Sequence, residues 1–256
     1  MLTSLPDLRL KKQADERVTV LTAYDYPTAR LLDEAGVDLL LVGDSLGMVV
    51  LGMPDTTGVT LDMMLHHTAA VRRGVKRAPI ISDLPFHTYD TPEQALANAR
   101  LLMAAGADAV KLEGGVPFIP QIRAIIEAGI PFVGHIGMLP QSVVVEGGYK
   151  KKGKTPAQAE QLLADALALD AAGACAIVLE SMVPEVATEI TRQVKATTIG
   201  IGAGSGTDAQ VLVTPDLIGS FPWFRPPFAK AHADVASEIQ RAVSEWMQGV
   251  KSELRD

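Results

Sequence analysis

One local pattern recurs along the chain and limits the folds that it can adopt. A helix-like segment ends in Ala-Gly, a short run of Val, Ile and Leu follows, and the run ends on a polar side chain. Glycine is expected just after a helix, where φ is positive, and short apolar runs are typical of buried parallel strands. The pattern therefore predicts repeated helix-to-strand units. Its clearest copies begin at Ala35-Gly36, Ala105-Gly106, Ala128-Gly129 and Ala172-Gly173.

The other segments extend this pattern to eight strands and eight helices. Two helices begin alike, at Thr91-Pro-Glu-Gln94 and Thr155-Pro-Ala-Gln158, with Thr as N-cap and Pro at the first helical position. We predict strands near residues 18–23, 38–43, 79–83, 108–113, 131–135, 175–180, 198–202 and 216–219. We predict helices near residues 27–35, 61–73, 92–105, 117–128, 156–172, 184–195, 208–213 and 231–248.

This alternation predicts the fold class, a (β/α)8 TIM barrel formed by residues 1–256 as a single domain. An open, doubly wound sheet is the alternative, but no Gly-x-Gly-x-x-Gly motif follows the first strand. The loops at 44–60 and 136–155 are long enough to act as lids over the ends of the strands.

Composition argues against several classes of protein. The chain has 23 basic and 30 acidic side chains and a net charge of −7, which does not suit a nucleic-acid partner. Its single cysteine, Cys175, excludes a disulfide framework and fits a reducing compartment. The first residues lack the apolar segment of a signal peptide, and the most apolar stretch, 39–53, is too short to cross a bilayer. We therefore expect a cytoplasmic protein without a membrane partner.

Ionisable side chains lie at the carboxyl ends of several predicted strands. In a barrel these strand ends surround one opening, the mouth. Active sites lie at that face, where the carboxyl ends of all strands meet. Lys111 and Glu113 are two residues apart, so both can point into the barrel. We expect one cavity to hold Asp44, Asp83, Lys111, Glu113, His135 and Glu180.

Carboxylates without clustered Cys or His suit a hard divalent cation, and Mg²⁺ is the natural candidate. Taken singly, Asp44 and Asp83 could instead cap turns. His135 is either a hydrogen-bonded core histidine or part of the site, and we include it among the predicted substrate-binding residues.

Several motifs together resemble those of the ketopantoate hydroxymethyltransferase family, and the similarity extends from about Thr22 to Lys230. They are Val42-Gly-Asp-Ser-Leu-Gly-Met48, His67-Thr-Ala-Ala-Val-Arg-Arg-Gly74, Asp83-Leu-Pro-Phe86, Val110-Lys-Leu-Glu-Gly-Gly115, Gly134-His-Ile-Gly137, Gly147-Gly-Tyr-Lys150 and Gly200-Ile-Gly-Ala-Gly204.

The resemblance implies transfer of a hydroxymethyl group from 5,10-methylenetetrahydrofolate to 3-methyl-2-oxobutanoate, giving 2-dehydropantoate for pantothenate and coenzyme A biosynthesis. It implies Mg²⁺, an enolate that the metal stabilises, and a homo-oligomer, commonly a decamer. The matching positions imply metal-site carboxylates at Asp44, Asp83 and Glu113, substrate contacts from Asp44, Ser45, Asp83 and Lys111, and Glu180 as the proton acceptor.

Some positions depart from the family's usual pattern, and two other functions remain possible. Ala209, Pro215, Ser181-Met182 and Pro227 stand where the family usually has other residues. The departures spare the predicted metal and acid–base residues, so they bear on the folate fit and the loop shape. One alternative is an enzyme like phosphoenolpyruvate mutase or isocitrate lyase, although Cys175 is misplaced for it. The other is a barrel without catalysis that binds 2-oxo acids or serves as a scaffold.

Overall fold

The computed structural model describes residues 7–14 and 16–253. Its strands are all parallel where their pairing is described, and they close into a barrel in chain order. The predicted (β/α)8 fold class is confirmed. The strands are β1 (Val18–Thr22), β2 (Leu39–Val42), β3 (Ile80–Asp83), β4 (Ala109–Lys111), β5 (Phe132–Gly137), β6 (Ala176–Glu180), β7 (Thr197–Ile201) and β8 (Ala209–Leu212).

Helices follow most of the strands, and short helices interrupt the two long loops. The helices are α1 (Asp7–Gln13), α2 (Tyr26–Ala35), α3 (Leu46–Val49), α4 (Leu61–Gly74), α5 (Pro92–Ala105), α6 (Ile119–Glu127), α7 (Val143–Glu146), α8 (Pro156–Ala172), α9 (Pro184–Gln193), α10 (Thr214–Ile218) and α11 (Val235–Glu253). Single 3-10 turns lie at Val116–Phe118 and Pro140–Ser142.

The helix boundaries read from the sequence have the expected geometry. Thr91 and Thr155 each accept a hydrogen bond from the backbone N–H three residues later, as N-caps do. Gly36 and Gly106 end their helices with φ of 92° and 110°, in the left-handed region that favours glycine. The threonines thus begin their helices, and the glycines end theirs where the chain must turn back toward the barrel.

The prediction for the last βα unit is wrong. Residues 209–212 form β8 instead of the predicted helix 208–213, and α10 replaces the predicted strand 216–219. β8 is a strand because Ala209 pairs with Ile199 of β7 and its inward side chains are buried. α10 forms because Pro215 occupies its first turn and Gly219, with φ of 67°, ends it.

Two apolar layers hold the barrel together. One fills the interior with inward side chains of the strands, and the other packs the strands against the helices. Leu8 of α1 is fully buried in the interior layer, so α1 covers one end of the barrel, a helix that the sequence reading did not predict. Lys12 identifies this end, since its Nζ donates to the carbonyls of Val194 and Ala196, just before β7.

The chain groups into two compact units that divide between Val211 and Leu212. The second unit contains α10 and α11, and the single-domain organisation stays a prediction. Among the described residues, every helix is too short or too polar to cross a membrane.

Candidate active site

The register of β3 and β4 creates the central ion pair of the site. Asp83 and Lys111 are the last residues of their strands and stand side by side in the parallel register. Lys111 Nζ lies 3.1 Å from Asp83 Oδ1, and both side chains are almost completely buried. The expected convergence of strand ends is therefore present for these two residues.

Asp44 lies next to this pair, in the turn that follows β2. Its backbone N–H donates to Asp83 Oδ2 over 3.1 Å. The adjacent Ser45 has its hydroxyl 2.8 Å from the Tyr24 hydroxyl, at the start of α3. The turn thus presents one carboxylate and one hydroxyl beside Asp83.

His135 connects the remaining predicted residues. It lies within β5, with Nδ1 at 3.2 Å from Lys111 Nζ and 3.6 Å from Glu113 Oε1. Its Nε2 lies 3.2 Å from Glu180 Oε2, at the end of β6. The structure thus brings together all six side chains that the sequence placed at the mouth. Glu180 keeps 17% of its side chain exposed, against 3% for Glu113, so it remains accessible from outside.

Burial in a crowded acidic site raises the pKa of three carboxyl groups. Burial, then the charge of Asp83, raises the pKa of Asp44 to about 7, against the opposing effects of Lys111 and Gln141. The pKa of Glu113 is also well above its ordinary value, through burial and the charge of Asp44. Burial raises the pKa of Glu180 to about 7, with Lys111 opposing it. A carboxylate poised near neutral pH can both accept and release a proton.

The two basic side chains take opposite protonation states. Burial lowers the pKa of Lys111, but Asp83, Glu113 and Asp44 together outweigh it, so the pKa is raised and the lysine is charged. Burial and the charge of Lys111 hold the pKa of His135 well below its ordinary value, so the ring is neutral. Since Lys111 can only donate, Nδ1 of His135 is the acceptor and Nε2 carries the proton toward Glu180.

Gln141 and Tyr89 belong to the site, although the sequence reading did not identify them. The side chain of Gln141 donates to Asp44 Oδ2 over 2.7 Å and to the Leu84 carbonyl over 3.1 Å. Its backbone N–H donates to Glu113 Oε2 over 3.0 Å, and the Tyr89 hydroxyl donates to its Oε1. The available sequence signal was the position of Gln141 after Pro140, near the start of the predicted lid loop 136–155.

The two predicted lid loops meet above the site. The Tyr149 hydroxyl lies 3.5 Å from Met48 Sδ, which joins the loop after β5 to α3. Burial and the charge of Glu180 raise the pKa of Tyr149, which places it near the same acidic group. Cys175 lies just before β6, at the opposite end of that strand from Glu180, and its Sγ donates to the Phe132 carbonyl.

Buried ionisable groups that meet at the strand ends of a parallel barrel are arranged as barrel enzymes arrange their catalytic groups. The fold and the site therefore define the class, a (β/α)8-barrel enzyme with a cluster of buried ionisable groups at its mouth. The family model described as ketopantoate hydroxymethyltransferase matches residues 3–254. The chain belongs to the ketopantoate hydroxymethyltransferase family and is a transferase.

Full-length relatives support this membership. The chain is 52% identical to the 3-methyl-2-oxobutanoate hydroxymethyltransferase of Thermosynechococcus vestitus, over 97% of this chain and 96% of the relative. It is 51% identical to the enzyme of that name from Hyperthermus butylicus, over 96% of this chain and 85% of the relative. For that of Chloroflexus aurantiacus the identity is 49%, over 98% of this chain and 90% of the relative.

Solved structures share the fold at low sequence identity. A phosphonopyruvate hydrolase in complex with oxalate and Mg²⁺ has a TM-score of 0.65 and 15% identity, and the match covers 98% of this chain and 88% of that one. A phosphoenolpyruvate phosphomutase from Streptomyces platensis subsp. rosaceus has a TM-score of 0.66 and 17% identity with the same coverage. The alternative of a mutase-like or lyase-like enzyme thus shares the architecture, whereas the family assignment is to the transferase.

Proposed function

We propose that this transferase moves a hydroxymethyl group from 5,10-methylenetetrahydrofolate to 3-methyl-2-oxobutanoate, with Mg²⁺. The substrates, 3-methyl-2-oxobutanoate, methylenetetrahydrofolate and one water, would give 2-dehydropantoate and tetrahydrofolate, a step toward pantothenate and coenzyme A. The observation that carries the proposal is Glu180, a carboxyl group with a pKa of about 7 beside Lys111, His135 and three further carboxyl groups. These groups supply the general base and the positive charge that are needed to remove a weakly acidic proton next to a ketone.

The chemistry of the carboxylates fits Mg²⁺. Asp83 Oδ1 is buried, and the one contact described for it is the 3.1 Å ion pair with Lys111 Nζ, so this oxygen keeps a lone pair that a metal could use. No group of three or more His, Cys, Asp and Glu side chains among the described residues is arranged to hold a metal. Asp44 and Asp83 are adjacent in the fold and offer two carboxylates, the number that Mg²⁺ commonly uses while water and substrate oxygens complete its octahedron.

We assign Asp44 and Asp83 as direct ligands and Glu113 as a group that acts through water. Bound there, Mg²⁺ would polarise the carbonyl of the 2-oxo acid. The protein would position that acid with the charged Lys111 at its carboxylate or enolate oxygen and with the Ser45 hydroxyl nearby. A lysine whose pKa is raised stays protonated, so it serves as a positive charge and not as an amine nucleophile.

Glu180 would take the proton from C3 of the substrate. Its accessibility and its pKa near 7 suit a general base at neutral pH. His135 is neutral, and its Nε2 lies 3.2 Å from Glu180 Oε2 without forming a hydrogen bond to any described residue, so this N–H would be free to contact the substrate. The electron pair left on C3 would form the new bond to the methylene carbon, water would supply the hydroxyl oxygen, and tetrahydrofolate would leave.

Proton exchange tests the first half of this reaction. The protein is incubated with 3-methyl-2-oxobutanoate and Mg²⁺ in heavy water without folate, and the C3 proton is followed by NMR. We expect the C3 proton to exchange, and we expect a chelator or the Glu180→Gln substitution to stop this exchange. The control is Glu185→Gln, at the exposed start of α9, which should leave the exchange rate unchanged. Absence of exchange under every condition would rule out the mechanism. Addition of methylenetetrahydrofolate then tests formation of 2-dehydropantoate.

We also propose that the protein is a cytoplasmic homo-oligomer, with ten subunits as the family resemblance implies. Exposed apolar side chains support self-association, because large apolar patches commonly mark interfaces. On α11 they include Ile239, Val243 and Trp246, the last with 70% of its surface exposed. Analytical ultracentrifugation measures the mass, and a monomer at micromolar concentration would contradict this proposal.

A further inference from the structure

One buried glutamine joins two carboxylates that we assign to the metal site. Gln141 is 3% exposed and lies in the 3-10 turn Pro140–Ser142, at the start of the loop after β5. Its Nε2 donates to Asp44 Oδ2 and its backbone N–H donates to Glu113 Oε2, over 2.7 Å and 3.0 Å. Side chain and backbone of one residue thus each restrain one oxygen of a different carboxylate.

The orientation of this amide is determined by its other partners. The Tyr89 hydroxyl donates to Oε1, and the Leu84 carbonyl accepts from Nε2 over 3.1 Å. Both amide protons and the amide oxygen are therefore engaged. Because Oε1 is occupied by a donor, the NH₂ group must face Asp44, and an inverted amide would oppose its oxygen to the carboxylate.

We propose that Gln141, oriented by Tyr89, is the positioning residue that holds Asp44 and Glu113 ready for the divalent cation. A carboxylate that already has one oxygen engaged loses less freedom on binding a metal. Groups that hydrogen-bond to metal ligands commonly change metal affinity by about 10-fold to 100-fold. The inference rests on the proposed magnesium-dependent function, and it adds two residues that are not themselves ligands.

Binding of Mn²⁺ to the full chain, measured by the EPR signal of the free ion, tests this role without turnover. We expect Gln141→Ala to raise the Kd about 10-fold or more, and Tyr89→Phe to raise it about 3-fold, since it removes one neutral hydrogen bond. The matched control is Gln210→Ala. That side chain also donates twice, to Gly204 and Thr207, but outside the site, so the Kd should not change.

A kinetic measurement separates positioning from general damage. In Gln141→Ala the Mg²⁺ concentration for half-activation should rise by a similar factor, and kcat at saturating Mg²⁺ should recover. A damaged fold would instead lower kcat at every Mg²⁺ concentration, which would contradict the proposal.

The outcomes distinguish this inference from the proposed function. If the parent chain binds Mn²⁺ and folded Gln141→Ala binds it equally well, only the role of Gln141 is refuted. If Gln141→Ala does not fold, Tyr89→Phe decides, and an unchanged Kd in that variant refutes the role. If the parent chain binds no Mn²⁺ with or without the 2-oxo acid, the proposed metal dependence fails and this inference fails with it.

Discussion

The two ends of the barrel use carboxylates in opposite ways. At the amino end, Asp33 accepts hydrogen bonds from the backbone N–H groups of residues 76–78. Burial raises its pKa, but these three bonds and Arg77 outweigh burial, so the pKa is lowered. At the mouth, burial prevails and raises the pKa of Asp44 and Glu180 to about 7. The same chemical group thus stabilises the fold at the amino end. At the mouth its ionised form is destabilised by burial, which leaves it ready to exchange a proton near neutral pH.

A repeated device at the amino end reinforces this contrast. An aspartate directly precedes β2, β4 and β8, and each accepts a hydrogen bond from a backbone N–H at the start of the neighbouring strand. These bonds satisfy N–H groups that the barrel ladder leaves open. The pairs are Asp38 with Thr19 at 2.9 Å, Asp108 with Ile80 at 2.8 Å, and Asp208 with Thr198 at 2.8 Å.

The largest expected effect is at the mouth, in Glu180→Gln. Loss of the proposed general base should slow C3 exchange by about 10²-fold to 10⁴-fold. The free energy of unfolding should stay equal or rise, because a buried acidic group is replaced by a neutral one of the same shape. Urea unfolding and NMR exchange measure the two effects on one sample. A Glu180→Gln variant that is also less stable would contradict the proposal that carboxylates at the mouth do not stabilise the fold.

Asp33→Ala is the corresponding substitution at the amino end. It leaves three backbone N–H groups without their acceptor, so we expect a loss of about 3 kcal/mol in the free energy of unfolding. The exchange rate per folded molecule should be unchanged, because Asp33 lies on α2 at the other end of the barrel. Activity lost at unchanged stability would contradict this assignment.

The pH dependence of stability should also differ between the ends. The pKa of Glu180 rises from its ordinary 4.5 to about 7 on folding, so the native state binds more protons between those values. Its stabilising contribution is therefore complete below about 4.5 and is lost as the pH rises through 7. With EDTA present, Glu180→Gln should lose less stability than the parent between pH 5 and pH 8, by on the order of 2 kcal/mol. Parallel stability curves would refute the shift.

The lowered pKa values at the amino end change stability with pH in the opposite direction. Burial raises the pKa of Asp38, but its bonds to Lys11 and Thr19 outweigh burial and lower it. Like Asp33, it contributes stability above the ordinary pKa of 3.8, and the contribution is lost as the pH falls through the lower folded value. Unfolding in acid should therefore report the carboxylates of the amino end, and the loss of stability between about pH 5 and pH 8 should report the mouth.

Local signals were sufficient to predict most of the fold. Helix caps at Thr91 and Gly106 are decided within a few residues, and they divide the chain correctly into βα units. β8 was missed because it is only four residues long and its outward Gln210 breaks the apolar run. The cue for α10 was present in Pro215, which lies in its first turn, and in Gly219, which ends it; proline and glycine also marked the start and end of earlier helices.

The sequence predicted the candidate-site residues that lie on strands or directly at their ends, where the alternation of side chains gives their direction. Lys111 and Glu113 follow from alternation along the predicted strand 108–113, although β4 itself ends at Lys111, and Asp83 follows from the end of β3. Gln141 and Tyr89 lie in loops, where no period relates sequence to direction, and their 52-residue separation is closed only by the tertiary fold. Side chains that hold other side chains in place are therefore the part of a site that a single sequence reveals least.

The smallest expected effect tests whether the aspartates before the strands act through the hydrogen bond or the charge. Asp108 Oδ2 accepts from Ile80 N and from Arg72 Nη1, and 44% of the side chain is exposed. Asp108→Asn keeps an acceptor for Ile80 and loses only a solvent-screened ion pair, so it should cost about 0.5 kcal/mol. Asp108→Ala also removes the acceptor and should cost about 1 kcal/mol more. Equal losses in the two variants, measured by urea unfolding, would assign the effect to charge and weaken the comparison with Asp33, whose role rests on backbone hydrogen bonds.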